Sequence, residues 1–451
     1  MKKLLLINPV GRKSGYLMSR YSTFAPLGLA YVAAVTPSNW QVRILDENME
    51  PFGFQTADLV AITAFTSNIN RAYDIARCYR ERGVKVVMGG IHASMNPAEV
   101  RRFADAVVIG EVEEIWPAVI ADFEAGGLAA VYRGPRVDFN RRSIRPRRDL
   151  LHPGYLWQSV QTSRGCPFEC RFCSVSNYLG RAYRFRPAAD VLDELGRIRQ
   201  RYIAFVDDNL VGHRREHLER AKTLFKGMIR QNMNKRWWMQ TSINAADDES
   251  VVELAAEAGC MFVFIGFETI QPDVLRAMKK GANILAGVQH YKQVVNTFHR
   301  HGIGVFGAFI IGNDYENPDY YRQLADFLVH SGIDMFQISV LTPLPGTALM
   351  QDILETDRLI HKNFPADWDK YRFSYMVHRP EGVDIRDVYT GDNYIKHKLY
   401  SAPHYPLRLF RSLLRVRRPR MFLAIFKLNQ ALRKSWRNAH YYRTYPIDFS
   451  R

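Results

Sequence analysis

The chain has 451 residues with a formal net charge of +17 at pH 7, enough length for two or three domains with cores of their own. Five cysteines exclude a disulfide scaffold, and the sequence holds no run of 18 apolar residues free of charge, so no spanning helix is expected. The charge is uneven: from Lys396 onward 14 Lys or Arg face one acid, Asp448, so this tail carries +13 and the body is near balance.

The opening, MKKLLLINPV, has an apolar run too short for a secretory leader and reads as a first strand. Residues 4–7, 42–45, 59–63, 84–88 and 107–109 are short β-rich runs. Helical stretches start at Pro26-Leu27-Gly28-Leu29 and span 70–82, where Ala72, Ile75, Ala76 and Tyr79 share one face. This alternation predicts an α/β, doubly wound, Rossmann-like parallel sheet over residues 1–133. Such sheets take ligands beyond the C-terminal ends of their strands. There the chain places Pro9, then Phe65, Thr66, Ser67 and Asn68, then Gly89, Gly90 and His92, then Gly110 and Glu111. Glycine at these ends lets backbone approach a flat or phosphorylated ligand, although Gly89-Gly90 alone also suits a tight turn.

Together, Asn8-Pro9, the helix start at Pro26, Asp46, Gly89-Gly90-x-His92 with Pro97 and Glu99, and Gly110-Glu111 resemble the cobalamin-binding domain upstream of many radical S-adenosylmethionine (SAM) domains. The resemblance implies cobalamin with its corrin on the strand ends and its nucleotide tail in the sheet. No Asp-x-His-x-x-Gly run occurs, so a base-off corrin is implied, with residues 65–70 near its lower face and His92 not assigned to cobalt.

Residues 134–155 read as a linker, with Gly134-Pro135, Pro146, Pro153 and Arg136, Arg141, Arg142, Arg145, Arg147 and Arg148. Solvated arginines are expected there, with contact to corrin carboxamides or to the neighbouring domain as the alternative.

Cys166, Cys170 and Cys173 follow at C-x3-C-x2-C spacing. Three thiolates hold three irons of a cubane and leave the fourth open. Zinc sites come to four ligands, and spacing alone leaves a distant His open as the fourth. Cys78 and Cys260 read as buried small hydrophobes. With Phe172 just before the third cysteine, the run resembles the cluster loop of radical SAM enzymes. The resemblance implies a 4Fe-4S cluster at Cys166, Cys170 and Cys173, SAM chelated at the open iron and cleaved to a 5'-deoxyadenosyl radical, and an external electron donor such as flavodoxin or ferredoxin. A cytoplasmic setting is expected.

Six strands, at 159–162, 202–206, 237–242, 262–265, 305–311 and 336–340, alternate with helices at 188–200, 215–228, 248–258, 272–278, 285–299 and 320–330. The resemblance implies a partial (β/α)6 radical SAM barrel over 156–350, with its chemistry at the strand C-termini. It places Asp207, Asp208 and Asn209 at the methionine end of SAM and Glu268 near ribose or methionine. Gln240 and Asn244 fall at the same mouth, Gly312 ends the run that packs on adenine, and Phe172 lies beside cluster or adenine. For Asp208 and Glu268 a helix-capping role stays open. Tyr178, with Arg184 and Phe185, is expected to line the substrate mouth and to act there with the cysteines.

The remaining region, 351–451, divides in two. Residues 356–395, with Trp368, Tyr371, Phe373, Tyr375, Tyr389 and Tyr394, are expected to cover the open side of the barrel. Over 403–440, Leu407, Phe410, Leu413, Leu414, Met421, Phe422, Ile425, Phe426, Leu428, Leu432 and Trp436 recur at helical spacing among ten Lys or Arg, and Pro419 splits the run into two helices. A basic amphipathic pair predicts peripheral contact at the inner face of the membrane rather than nucleic acid, with simple docking on the barrel as the plainer alternative.

Stretches 165–174, 205–209 and 341–347 most resemble the C-methyltransferase branch, hopanoid 2-methyltransferase-like enzymes. The expectation is methyl transfer from methylcobalamin to a carbon of a hydrophobic, lipid-like small molecule. An oxidative cyclase or oxidoreductase using the same cofactors is the alternative.

Overall fold

Apolar runs without alternation, such as Leu4-Leu5-Leu6-Ile7, belong to strands covered on both faces. The computed structural model describes residues 1–11, 23–139 and 143–437. Arg141, Arg142 and everything after 437, Asp448 included, lie outside the described residues, as does the side chain of Arg420.

The first sheet has six strands: β1 (Lys2–Asn8), β2 (Trp40–Asp46), β3 (Leu59–Thr63), β4 (Lys85–Gly89), β5 (Ala106–Gly110) and β6 (Val131–Gly134). They run parallel in the order β2-β1-β3-β4-β5-β6. Leu5 and Ile7 pack with Ile69, Ala72, Tyr73 and Ala76 on one face, and Leu4 and Leu6 with Leu29, Ala30, Ala33 and Trp116 on the other. The order reverses between β1 and β3, which opens a crevice at their C-terminal ends. β6 was not expected: four residues ending in glycine carry no strand pattern, and pairing with β5 recruits them.

Next come β7 (Gln158–Val160), the small antiparallel pair β8 (Ser163–Arg164) and β9 (Arg184–Phe185), then β10 (Tyr202–Phe205), β11 (Arg236–Thr241), β12 (Cys260–Glu268), β13 (Gly304–Ile311) and β14 (Met335–Val340). The parallel order is β14-β13-β12-β11-β10-β7, a barrel left open between β7 and β14. Its interior is filled by aromatics. Trp238 stacks on Phe262 at 5.6 Å between centroids, Trp157 meets Phe262 at 6.0 Å, and Phe24, from ahead of the first helix, meets Trp238 at 5.5 Å.

Three expectations are corrected. The helix expected over 285–299 is broken into Gly281–Ala286, a 3-10 turn Val288–His290, and Tyr291–Arg300. Gly287 adopts φ +78 between the pieces, a conformation that ends helices. The aromatics of 356–395 do not simply cover the barrel. Trp368, Tyr371 and Tyr375 join the core of the first sheet, while Tyr389 joins that of the barrel, so the segment straps the two together. Nor is the linker uniformly solvated. Arg148 pairs with buried Glu194 and donates to the Ser159 carbonyl, and Arg186 donates to the same carboxylate at 2.6 Å.

Three helices end the described chain, Ile385–Tyr400, His404–Val416 and Pro419–Arg437. The last packs Met421, Ile425, Leu428 and Leu432 into the barrel core. No described helix is long and apolar enough to cross a membrane.

Removing Glu194 strands two guanidiniums, one of them fully buried. Glu194→Ala is expected to cost about 3–5 kcal/mol, measured as a lower midpoint in chemical denaturation with the slope unchanged.

Candidate functional site

The cluster loop is pinned by its own backbone. Cys166 N donates to the Gly180 carbonyl at 3.2 Å, Arg171 N to Met278 O at 3.0 Å, and Cys173 N to Cys170 O at 3.1 Å. Gly165 sits at φ +86, where a Cβ would lie 2.3 Å from the Ala182 carbonyl, so only glycine fits ahead of the first cysteine. All three thiols are free and partly enclosed. Burial pushes Cys166 up to about 11 and Cys173 up to about 12, and raises Cys170 as well. Among the described residues no three His, Cys, Asp or Glu groups are close enough to share one ion. A cubane spreads its thiolates over separate irons and does not need them to be. Three free thiols on one fixed loop fit that group.

Three ionisable side chains face the loop, Asp208, Lys280 and Glu268. Asp208 lies half-buried at the end of β10, and burial, then the neighbouring Asp207, pushes its carboxyl up to about 7. Lys280 points in from the far side, its Nζ 5.9 Å from the Phe172 ring and bonded to Glu268. Burial opposes its charge, but Glu268 and the Cys170 thiol outweigh that and hold it protonated above the ordinary lysine range. Glu268 closes β12 at φ +66, and a Cβ on Gly266 would stand 2.2 Å from its Oε1, so the pair occupies space that glycine leaves. Lys280 escaped the sequence reading: in Lys279-Lys280-Gly281 it looks like a solvated end of helix Pro272–Ala277.

The other strand-end residues serve structure. Asp207 is fully buried and accepts from Thr162 N at 3.0 Å, from Thr162 Oγ1 at 2.8 Å and from Ser163 Oγ. Its carboxylate therefore ties the loop after β10 to Thr162, just past β7, and to Ser163 of β8 instead of facing the thiols. Asn209 bonds Ser242 Oγ and Gly212 N, both at 3.1 Å. Asn244 is drawn into the same loop by a 2.9 Å bond to the Gly212 carbonyl. Gly312, at φ +82, donates to Glu316 Oε2 at 2.8 Å, and Gln240 stays half-buried on β11. Beyond Phe172 a cavity of about 550 Å3 is walled by Asn313, Asp314, Leu341 and His378.

On the first sheet the strand ends form a shelf. Asn68 Nδ2 donates to the Pro9 carbonyl at 2.8 Å, and Phe65 N to Asn68 Oδ1 at 2.8 Å, leaving the Phe65 ring exposed and Ser67 half-buried. His92 is enclosed. Its Nδ1 lies 3.1 Å from Thr66 Oγ1, its Nε2 3.4 Å from Glu99, and Trp368 packs edge-on at 5.2 Å. Gly90, at φ +93, leaves no room for a Cβ, which would fall 2.6 Å from Thr63 Oγ1.

Between shelf and barrel lies a cavity of about 290 Å3. Gly89, Gly90 and Gly110 wall it from one side, Gln161, Val206 and Tyr178 from the other. Tyr178 thus faces the shelf, and burial pushes its phenol up to about 12. Buried Arg164, two residues before Cys166, spans the gap: Nη1 donates to Glu111 Oε2 at 2.9 Å and Nη2 to Glu113. Arg184 and the amide of Val137 complete the shell of Glu111. Burial would raise the Glu111 carboxyl, but Arg184 and Arg164 hold it below the usual range. The Glu111 carboxylate is thereby committed to the barrel. Glu113 Oε2, buried in the cavity wall, has no hydrogen-bond partner among the described residues, which suits the carboxamide-rich rim of a corrin. The glycine shelf and this acceptor fit cobalamin.

Comparison with known proteins gives the same division. A B12 binding domain model matches residues 14–120, and a Radical SAM superfamily model matches residues 160–328. The chain is 30% identical to bacteriochlorophyllide d C-12(1)-methyltransferase of Chlorobaculum tepidum, over 88% of this chain and 89% of that one. It is 30% identical to hopanoid C-2 methylase of Rhodopseudomonas palustris, over 76% and 67%. Among solved structures, the radical SAM methyltransferase TsrM from Kitasatospora setae, with cobalamin and 4Fe-4S cluster bound, superposes with a TM-score of 0.70 over 96% of this chain and 99% of that one. Its sequence identity of 17% makes that a likeness of fold. A B12-binding sheet joined to a cluster-bearing open barrel, with relatives of this kind along nearly the whole length, places the chain in the family of cobalamin-dependent radical SAM methyltransferases.

Proposed function

We propose that the enzyme methylates a carbon atom of a large hydrophobic small molecule. The observation that carries this reading is the single cavity walled by the strand-end glycines of the shelf and by the barrel mouth. When bound, the cluster with SAM supplies a one-electron route to a substrate carbon radical, and cobalamin supplies a transferable methyl group.

In this reading residues 1–133 carry cobalamin and residues 156–350 carry the cluster and SAM. Cys166, Cys170 and Cys173 hold the cluster. Asp208 and Lys280 receive the ammonium and carboxylate of the SAM methionine as opposite charges, and Glu268 acts through Lys280 by fixing its position. Adenine enters the cavity beyond Phe172, next to the Gly312 turn. Pro9, Phe65, Thr66, Ser67 and Asn68 lie under the corrin as a backbone-stiffened platform. Arg164 fixes the distance between shelf and mouth, so positioning is inherited from the fold and not made during turnover. Tyr178 and Gln161 offer the polar groups that orient substrate in an otherwise apolar wall.

The substrate class is supported by the names of two relatives, one acting on a bacteriochlorophyllide and the other on a hopanoid. The electron enters from an external donor such as flavodoxin or ferredoxin.

Anaerobically reconstituted enzyme, given SAM, cobalamin, a low-potential reductant and the lipid extract of its host, is expected to yield S-adenosylhomocysteine and 5'-deoxyadenosine together with a product heavier by one methylene. Product formation without S-adenosylhomocysteine would point to cyclisation instead. Lys280→Ala leaves Glu268 as an uncompensated anion beside the loop. Its cluster potential is expected on the order of 50 mV more negative, and its SAM affinity at least about tenfold weaker. EPR-monitored redox titration and equilibrium dialysis read these separately from turnover.

A further inference from the structure

Helix His404–Val416 is built inside out. Its buried positions are Tyr405, Arg408, Ser412 and Val416, so an arginine and a serine face the barrel. Arg408 is held there by a 2.8 Å bond to the Leu399 carbonyl and by the Phe336 ring 4.5 Å away. On the opposite side, at helical spacing, Leu407, Phe410 and Leu414 are 40%, 56% and 56% exposed, with Leu413 beside them. A helix meant for water carries these groups the other way round. Leu423 on the following helix is also exposed, and five of the fifteen exposed large apolar side chains among the described residues fall within 407–423.

The rim of the patch identifies what covers it. Arg415, Arg417 and Arg418 are exposed and form no ion pair among the described residues. The barrel floor fixes the placement of two of them. Arg415 crosses Gly332 and Arg418 crosses Gly302, each in the space that a Cβ on the glycine would take. These turns precede β14 and β13, so the patch lies at the end of the barrel opposite the cluster loop. No Asp or Glu occurs in 396–437. Glu253 and Glu257 line the same depression as the three arginines, but arginine outnumbers them there and the two helices hold no acid, so a second copy seated on the apolar row would bring arginine against arginine. Anionic phosphates beside an apolar layer answer both features.

We propose that this patch docks the enzyme on an anionic lipid surface. Helix His404–Val416 lies in the plane of the interface, with Leu407, Phe410 and Leu414 at the acyl boundary and Arg415, Arg417 and Arg418 among the headgroup phosphates. The helix pair thus divides its labour: Pro419–Arg437 docks on the barrel and His404–Val416 faces the lipid. The barrel mouth then points away from the membrane plane. The proposal does not depend on which reaction the enzyme performs.

The test is flotation of the full-length, cofactor-loaded enzyme with vesicles of phosphatidylcholine alone or mixed equally with phosphatidylglycerol, with the mass in solution measured by light scattering. Binding is expected only to the anionic vesicles and is expected to be released by high salt. Phe410→Ser/Leu414→Ser and, separately, Arg417→Glu/Arg418→Glu are each expected to lower the bound fraction about tenfold or more, with circular dichroism and SAM cleavage in solution unchanged. Three results would overturn the proposal. One is wild-type enzyme that fails to float. Another is equal binding to neutral vesicles, insensitive to arginine reversal. The third is a wild-type dimer that the Phe410/Leu414 pair of substitutions breaks, which would give the patch to a second copy.

Discussion

Arg164 is the hinge pin of the molecule. It stands two residues ahead of the first cluster cysteine, and its guanidinium is shared by two carboxylates from the other sheet, Glu111 and Glu113. All three side chains are buried. Buried ion pairs contribute little net stability, since desolvation offsets their attraction. What they enforce is register: any slip of barrel against shelf would strand a charge in a water-poor interior, at several kcal/mol. Arg184 repeats the link from β9, and Arg148 and Arg186 converge on Glu194 just behind it. The family joins a cobalamin-binding sheet to a cluster-bearing barrel, and this belt crosses the seam between them. An ionic belt fixes that register because a displaced charge would be left unpaired, which adds to what close apolar packing already restrains.

Around the thiols the same economy of charge recurs. One cation, Lys280, is kept protonated by its carboxylate partner, while one carboxyl, Asp208, is left without a cation and rises toward neutrality. A zwitterionic ligand such as the methionine end of SAM has one group for each. The aromatic filling of the barrel interior, Trp157, Trp238 and Phe262, places this charged layer at the mouth by leaving no room below it.

Much of the architecture was legible because periodicity and strand-end chemistry are local. Five of the six barrel strands and five of the six sheet strands were expected within a residue or two of where they lie, while β12 runs on to Glu268, three residues past its expected end. Cys166, Cys170 and Cys173 stand out by their close spacing, although spacing alone left a zinc site open and the cluster reading needed the family resemblance. Pairwise commitments were not legible. Asp207 and Asp208 are indistinguishable as letters, yet the loop after β10 turns one toward Thr162 and Ser163 and the other toward the thiols. Glu111 reads as a cofactor residue from its place at a strand end, and only the tertiary fold reveals Arg164 and Arg184 across from it. Helix His404–Val416 shows the limit of pattern reading most plainly: its amphipathicity was visible, but which face meets the barrel was not.

The central claim, that the Arg164 contact sets the spacing of the two cofactor sites, has one direct measurement. Pulsed EPR between the reduced cluster and cob(II)alamin reads their separation in the loaded enzyme. A single narrow distance in the wild type, broadened or lengthened in Arg164→Ala while both cofactors remain bound, is the predicted result. An identical narrow distribution in the variant would contradict it and hand the positioning to the aromatic strap and the remaining contacts.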